Sequence, residues 1–219
     1  MAEETSFAQL AYDSIKNDIV TQKLKPGSFI SEAEYAEKIG ISRTPVREAL
    51  KMLEKEGLLD IYPRKGAQIK SLTLEDILQI HDAAEAMECM VISRVAGEVA
   101  RGQIAAGELA RIRELLRQMD AHLEKGNLSK WVQCDQTFHQ QLIELCRNRH
   151  LAQFAHDARN RMNMTLWFIT PKYADRAIST RDHKVILEAV EAGDAAAAGE
   201  AIKDHISSVR RNFVASMGL

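Results

Sequence analysis

The distribution of proline is the feature that most constrains how this chain can fold. Three of its four prolines fall within the first 63 residues, and only Pro171 lies beyond them. Because proline breaks helix interiors, a stretch of more than 100 proline-free residues, rich in Ala, Leu, Glu, Lys and Arg, is expected to form long helices. The sequence therefore predicts a mostly α-helical protein with a short, punctuated domain over residues 1–72 and an all-helical domain over residues 73–219.

Composition excludes several other classes of protein. With 46% hydrophobic residues the chain can bury a core, so it is not expected to be disordered. No apolar run reaches the roughly 18 residues of a membrane-spanning helix, and the N-terminus lacks the basic and apolar regions of a signal peptide. Cys89, Cys134 and Cys146 show neither a disulfide framework nor zinc-site spacing. We expect a cytoplasmic protein with no membrane partner.

Serine residues open three predicted helices in the first domain. Ser6 and Ser31 are each followed three residues later by Gln or Glu, which is the pattern of a capping box. Ser42 is the expected N-cap of the third helix. Gly40 can take the left-handed conformation that ends the second helix. The second and third helices are thus separated by a tight turn.

A β-hairpin with a basic tip is predicted after the third helix. Two short apolar runs, residues 58–62 and 67–69, flank Pro63-Arg64-Lys65-Gly66. Two short helices joined by a tight turn and followed by such a hairpin are the parts of a winged helix-turn-helix. The fold predicted for the first domain is therefore one that binds duplex DNA.

One face of the third helix carries the residues that would contact DNA. Its basic residues recur every fourth position, and residues 41–70 contain seven basic and four acidic side chains. An ordinary solvated helix face would carry the same charges, so this pattern alone leaves both interpretations open. The candidate contacts are Ser42, Arg43, Thr44, Arg47 and Lys51 on the helix and Arg64 and Lys65 at the hairpin tip.

The order of these motifs resembles the GntR family of bacterial transcriptional regulators. In that family, the residues corresponding to Arg43, Thr44 and Arg47 touch the operator, and the glycine corresponding to Gly66 lies at the tip of the wing. The resemblance therefore implies that double-stranded operator DNA is the partner of the first domain. These residues occur in the same order and at the same spacing as in the family pattern, with no insertion or deletion. They are Leu24–Gly27, Ser31–Gly40, Ile41–Leu50, Leu53 and Glu56–Leu58.

Six helices are predicted after residue 72, beginning with a capping box at Thr73. Glycine, asparagine and Pro171 separate them, and such an array packs as an antiparallel bundle. The predicted spans are 74–101, 105–125, 128–146, 150–169, 174–192 and 194–216.

Four ionisable side chains fall on the apolar faces of three of these helices. Asp135 and His139 lie one turn apart on the same helix face. His183 and His205 each lie on a helix face that otherwise carries aliphatic residues. Burying them is costly unless they pair with one another or bind something. Three imidazoles and one carboxylate suit zinc above all, and also nickel or manganese, rather than calcium. A buried His–Asp hydrogen-bond network without a metal is the alternative.

The helical domain resembles the FCD-type ligand-binding domain of the FadR subfamily of GntR regulators. In its metal-binding members, one Asp and three His correspond to Asp135, His139, His183 and His205, and six helices rather than seven indicate the VanR-like branch. The resemblance implies a divalent metal and a small organic acid as effector. One departure is Ala84, which stands where many members have an arginine that reaches the effector.

A metal-dependent hydrolase is the second class of function to consider. Helical His-Asp phosphohydrolases also collect these residue types, but their His precedes their Asp and both residues serve the metals. Here Asp182 precedes His183 and lies about 100° around the helix from it. The sequence shows no carboxylate or lysine near the four residues as a general base. It predicts instead a non-enzymatic, ligand-responsive regulator that binds a pseudo-palindromic operator as a homodimer.

Overall fold

The computed structural model describes residues 6–21, 23–166 and 176–216. Over these residues the chain is mostly helical with one small antiparallel sheet, which confirms the predicted fold class. None of the described helices combines the length and the apolar character that crossing a bilayer requires.

The chain divides into two compact units. One consists of Met1–Ile77 with Asn163–Thr170, and the other of Leu78–Met162 with Pro171–Leu219. The predicted boundary at residue 72 stays a prediction; of the described residues after it, 73–77 and 163–166 fall in the first unit. Met164 in the latter segment is buried in the apolar core of the first unit.

Up to Ile69, the described residues of the first unit form three helices and three strands. Its elements are α1 (Phe7–Val20), β1 (Phe29–Ile30), α2 (Glu32–Ile39), α3 (Arg43–Lys55), β2 (Leu59–Tyr62) and β3 (Gly66–Ile69). Ser6 and Ser31 accept backbone N–H groups at 3.1 and 3.4 Å, which is the serine half of each predicted capping box. Gly40 ends α2 with a φ of 72°, as predicted. Apolar residues of α1 and α3, such as Ile15 and Leu53, form the core.

The sheet contains one strand more than the predicted hairpin. Its order is β1-β3-β2, and all the pairings are antiparallel. A strand of two residues is too short to show an alternating pattern, so β1 left no signal in the sequence. Strand β1 explains why residue 66 is a glycine. A Cβ at this position would overlap the carbonyl oxygen of Ile30 in β1, and residues with side chains disfavour its φ of 93°.

The second unit contains the helices predicted after residue 72. Its helices are α4 (Leu74–Ala100), α5 (Ala106–Glu124), α6 (Leu128–Glu144), α7 (Arg149–Leu166), α8 (Arg176–Glu191) and α9 (Ala195–Ser216). The first turn of α4 and the last four residues of α7, 163–166, belong to the first unit. Helix α5 packs on α6 and α8, and α8 packs on α9. Trp131 and Phe138 are the largest side chains buried in its core. The predicted helix end at residue 169, the start at residue 174 and the break at Pro171 lie outside the described residues.

Candidate functional site

Three of the predicted metal ligands lie together in the core of the second unit. Helices α6, α8 and α9 contribute His139, His183 and His205, all of them buried, and one ring nitrogen from each lies within 4.8 Å of the others. The Nε2 atoms of His139 and His183 are 2.9 Å apart. Phe138 packs edge-on against both of these rings and restricts their orientation. The apolar helix faces predicted from the sequence thus pack together and bring the three imidazoles into one cluster.

The electrostatic surroundings keep His139 and His183 in the neutral form that binds metal ions. Burial is the main cause that lowers the pKa of His139 and His183 well below the usual histidine value, and the charge of Arg159 acts in the same direction. Both ring nitrogens of His205 are buried with no hydrogen-bond partner in the described part of the chain. Unsatisfied buried nitrogens are costly, and a metal ion would satisfy them. The residues present therefore fit a divalent ion.

Asp135 lies at the edge of this histidine cluster. Its Oδ1 is 3.3 Å from Nε2 of His183, and its side chain is largely buried. The group whose donor atoms all lie within 4.8 Å of one another consists of the three histidines. The structure thus brings Asp135 beside the cluster, and its role as a fourth ligand stays a prediction.

Two charged residues at the cluster were missed by the sequence analysis. Glu88 of α4 is fully buried, and its Oε2 lies 3.3 Å from Nδ1 of His139. Arg159 of α7 is also buried, and its Nη1 lies 3.2 Å from Oε1 of Glu88. The expectation that no carboxylate lies near the four residues was therefore wrong. Glu88 falls on the apolar stripe of α4, one turn after the buried Ala84, and that stripe could have revealed it.

Carboxylates lie behind two of the three imidazoles. Besides Glu88 at His139, Asp182 places its Oδ2 3.6 Å from Nδ1 of His205. A carboxylate on the outer nitrogen of a histidine orients the ring and makes the inner nitrogen a better metal ligand. In this position Asp182 is a neighbour of the cluster rather than a member of a His-Asp dyad.

The predicted DNA-contacting face is an exposed surface of the first unit. Ser42 is the N-cap residue of α3, but its hydroxyl makes no capping hydrogen bond and is exposed. The turn between β2 and β3 presents basic side chains, with Arg64 held at a φ of 64°. These positions leave the residues accessible to DNA, and their roles in binding stay predictions. The exposed candidates are Ser42, Arg43, Thr44, Arg47, Lys51, Arg64 and Lys65, with Gly66 partly covered by β1.

Arg47, the central residue of this face, is held by an acidic side chain of α2. Its Nε donates to Oε1 of Glu32 at 2.9 Å, and its Nη2 donates to Oε2 at 2.7 Å. The hydrogen bonds from Arg47 lower the pKa of Glu32, and the charges of Arg43 and Lys51 lower it further. Because Glu32 and Arg47 are fifteen residues apart and on different helices, no local pattern revealed this contact.

Comparison with known proteins assigns each of the two parts of the chain to a protein domain family. Residues 79–208 match the model of the FCD domain, and residues 7–69 match that of the bacterial regulatory proteins, gntR family. An uncharacterized HTH-type transcriptional regulator from the TAR-I ttuE-ttuC' intergenic region of Agrobacterium vitis is 37% identical over 61% of this chain and 77% of its own length.

Two further proteins match over nearly the whole chain. The HTH-type transcriptional repressor RspR of Escherichia coli strain K12 is 25% identical over 92% of this chain and 86% of its own length. The solved structure of E. coli McbR/YncC superposes with a TM-score of 0.72 at 21% identity, covering 95% of this chain and 97% of that one. At this identity the superposition supports the fold alone. The matching family and relatives are regulators, not enzymes.

Proposed function

The chain belongs to the GntR family of transcriptional regulators and carries an FCD effector-binding domain, and from this premise we propose that it is a metal-containing regulator responsive to a small carboxylate. The single observation that carries the proposal is the convergence of His139, His183 and His205 in the core of that domain. FCD domains commonly bind metal ions, and neutral buried imidazoles are the ligands that such ions select.

The histidine cluster would hold the ion, and Asp135 would add a carboxylate from its edge. Three imidazoles and one carboxylate suit zinc best and also accept nickel or manganese. When bound, the ion supplies a Lewis-acidic site for the carboxylate of an effector. Glu88 and Asp182 face the outer Nδ1 atoms of His139 and His205 at 3.3 and 3.6 Å, without a hydrogen bond to either ring.

The first unit would read a pseudo-palindromic operator as part of a homodimer. A single helix-turn-helix of this size makes few phosphate contacts, and two-fold pairing doubles them. Light scattering on the full chain should therefore show a dimer, and footprinting should show two symmetric half-sites. A monomer at micromolar concentration that protects one half-site would contradict this part of the proposal.

Elemental analysis of the purified protein tests the metal site. We expect roughly one divalent ion per chain. An ion that binds only the folded state stabilises it by about 4 kcal/mol when its free concentration is a thousand times its Kd. Removing the ion with a chelator should therefore lower the Tm clearly.

Two histidine variants provide the matched comparison. His205→Ala should remove the ion and lower the Tm, whereas His122→Ala, on α5 and outside the cluster, should do neither. A wild-type protein without stoichiometric metal, with the same melting curve before and after chelation, would leave only a hydrogen-bonded histidine cluster and overturn the proposal.

A further inference from the structure

A second polar cluster surrounds the C-terminal end of α4. At its centre is Glu98, an acidic residue with only 1% of its surface exposed. Its Oε1 accepts from Nε of Arg94 at 3.0 Å, and its Oε2 accepts the backbone N–H of Arg147 at 3.1 Å. Glu98 lies on the same helix as Glu88, about 15 Å further along the helix axis. The cluster is therefore separate from the proposed metal site.

Two further hydrogen bonds hold arginines beside Glu98. Both go to Gln103, whose backbone N–H donates to the carbonyl oxygen of Glu98 at 2.9 Å. Nε of Arg101 donates to Oε1 of Gln103 at 3.4 Å, and Nη2 of Arg147 donates to the backbone oxygen of Gln103. Three arginines, Arg94, Arg101 and Arg147, are thus held around one buried carboxylate and one short loop.

These arginines have more donors than the protein uses. Within the described part of the chain, each guanidinium makes a hydrogen bond through one of its three nitrogens: Nε in Arg94 and Arg101, and Nη2 in Arg147. All three residues are exposed, so their other nitrogens are accessible. A guanidinium carries five N–H donors in a planar fork, and such a fork binds two phosphate oxygens with parallel hydrogen bonds. The cluster therefore has the spare donors that a phosphate group needs.

Gly97 leaves an open space between two of these arginines. Arg94, Gly97 and Arg101 follow one another at intervals of three and four residues, so they share one face of α4. Apart from the backbone of its own helix, a Cβ at Gly97 would have only Nη1 and Nη2 of Arg101 within 4 Å in the described ranges, at 3.4 and 3.9 Å. An anion in this space would lie next to a guanidinium rather than over an aliphatic side chain.

The charge of the cluster indicates which kind of anion fits. Three guanidinium groups and one carboxylate leave two positive charges, which repel one another unless an anion compensates them. Acidic residues nearby along the chain are held by other groups, because Glu108 accepts the backbone N–H of Ala105 and Glu144 accepts from Gln140. A phosphate monoester carries a charge of about −1.5 to −2 at pH 7, which matches the excess.

We propose that Arg94, Arg101 and Arg147 form a binding site for the phosphate group of a small phosphate monoester, and that Glu98 positions these arginines. This site gives the second unit a ligand of a different chemical class from the carboxylate proposed for the histidine cluster. It uses no metal ion, so it does not depend on the proposed function.

Calorimetric titration of the full chain at constant ionic strength tests the site. The probes are glycerol phosphate and inorganic phosphate at millimolar concentration, with glycerol as the uncharged counterpart. We expect both phosphates to bind and glycerol not to bind, with or without a chelator present. Failure of both phosphates to bind, or phosphate binding that the chelator abolishes, would overturn the proposal.

Variants then test the residues. Arg101→Gln removes one charge and its donors, so phosphate should bind roughly tenfold more weakly. Arg161→Gln makes the same change at an exposed position of α7, about 18 Å along that helix from its first residue, and should bind as the wild type does.

Gly97→Ala provides a measurement that a folding defect cannot imitate. Alanine is more favourable than glycine inside a helix, so this variant should have a higher Tm. Its methyl group occupies the open space beside Arg101, so phosphate should bind more weakly. Phosphate affinity that is unchanged in either Arg101→Gln or Gly97→Ala would overturn the assignment.

Duplex DNA also carries phosphates, and a separate measurement distinguishes it from a small ligand. Because the proposed ligand is a phosphate monoester, Arg101→Gln and Arg161→Gln should bind an unrelated duplex equally well in fluorescence anisotropy. Weaker duplex binding by Arg101→Gln, together with no binding of glycerol phosphate by the wild type, would assign these arginines to the DNA backbone and overturn the proposal.

Discussion

Each of the two units contains an ion pair between an arginine and a glutamate, exposed to solvent in the first unit and buried in the second. In the first unit, Nη2 of Arg47 is 2.7 Å from Oε2 of Glu32, and 60% and 22% of the two side chains are exposed. In the second unit, Nη1 of Arg159 is 3.2 Å from Oε1 of Glu88, and 5% and 0% are exposed. The shorter contact is the one whose loss costs less, because water replaces a lost partner only where it has access.

This difference bears on how each pair can serve a regulator. An exposed arginine can exchange its glutamate for a phosphate or a base edge at little cost, which suits a surface that must bind and release DNA. A buried arginine can change partners only if another anion takes over, which suits a site that should respond to one class of ligand. Burial rather than distance therefore decides what each pair can do.

The largest expected effect is on stability, when one arginine of each pair is removed. Arg159→Ala leaves the charge of Glu88 buried beside His139 without its counter-ion and should lower the free energy of unfolding by about 3–5 kcal/mol. Arg47→Ala removes an exposed pair and should leave the free energy of unfolding nearly unchanged. Urea denaturation of both variants measures the difference. Equal losses would show that burial does not distinguish the two pairs.

A second test uses pH, because the second unit also buries His81. Burial lowers the pKa of His81 to about 4, with the charges of Arg210 and Arg159 acting in the same direction and that of Asp82 opposing them. The folded pKa lies below that of the unfolded chain, so the unfolded chain takes up the proton first as the pH falls. Stability that is fully present above about pH 6.5 is then lost towards pH 4.

The expected loss from His81 alone is about 3 kcal/mol between about pH 7 and pH 4. His81→Gln should reduce the pH dependence of the unfolding free energy by that amount, whereas His150→Gln, which changes an exposed histidine, should not alter it. Denaturation curves across this pH range measure both effects. The same pH dependence in His81→Gln and the wild type would show that His81 is not held neutral by the fold.

The third test concerns DNA binding by the exposed charges. Arg47→Ala should weaken operator binding by about 1–3 kcal/mol, since we predict that Arg47 reads a base. Lys65→Ala should weaken binding to any duplex and reduce the slope of log affinity against log salt by about 1. Fluorescence anisotropy with the operator and an unrelated duplex separates these two effects. Unchanged operator affinity in both variants would contradict the predicted DNA-contacting face.

The sequence predicted the histidine cluster but not the ion pair beside it, for a physical reason. Histidine on an apolar stripe has a polar atom close to its backbone, so burial of the stripe buries the ring. Glu88 and Arg159 belong to residue types that are almost never fully buried unless they are paired, and a pairing between two helices leaves no local pattern in the sequence. Only the packing of α4 against α7 shows that both are held inside.

In the first unit, the helices and the hairpin could be predicted because each has local signals. The capping serines, Gly40 and the two apolar runs around the turn mark the boundaries of these elements. Strand β1 and the contact between Glu32 and Arg47 could not be predicted, because both depend on residues distant in sequence.

The smallest expected effect comes from Glu32, whose carboxylate occupies the Nε and Nη2 donors of Arg47. If DNA takes these donors over, the exposed ion pair must break on binding. Glu32→Gln removes that competition and one negative charge from the DNA-contacting face, so operator affinity should rise by up to about 1 kcal/mol, or roughly fivefold, at low salt. Anisotropy titrations measure the change, and Glu37→Gln on the same helix is the control. Weaker binding by Glu32→Gln would mean that Glu32 holds Arg47 in its reading position, so that even an exposed pair can serve as a fixed part of the site.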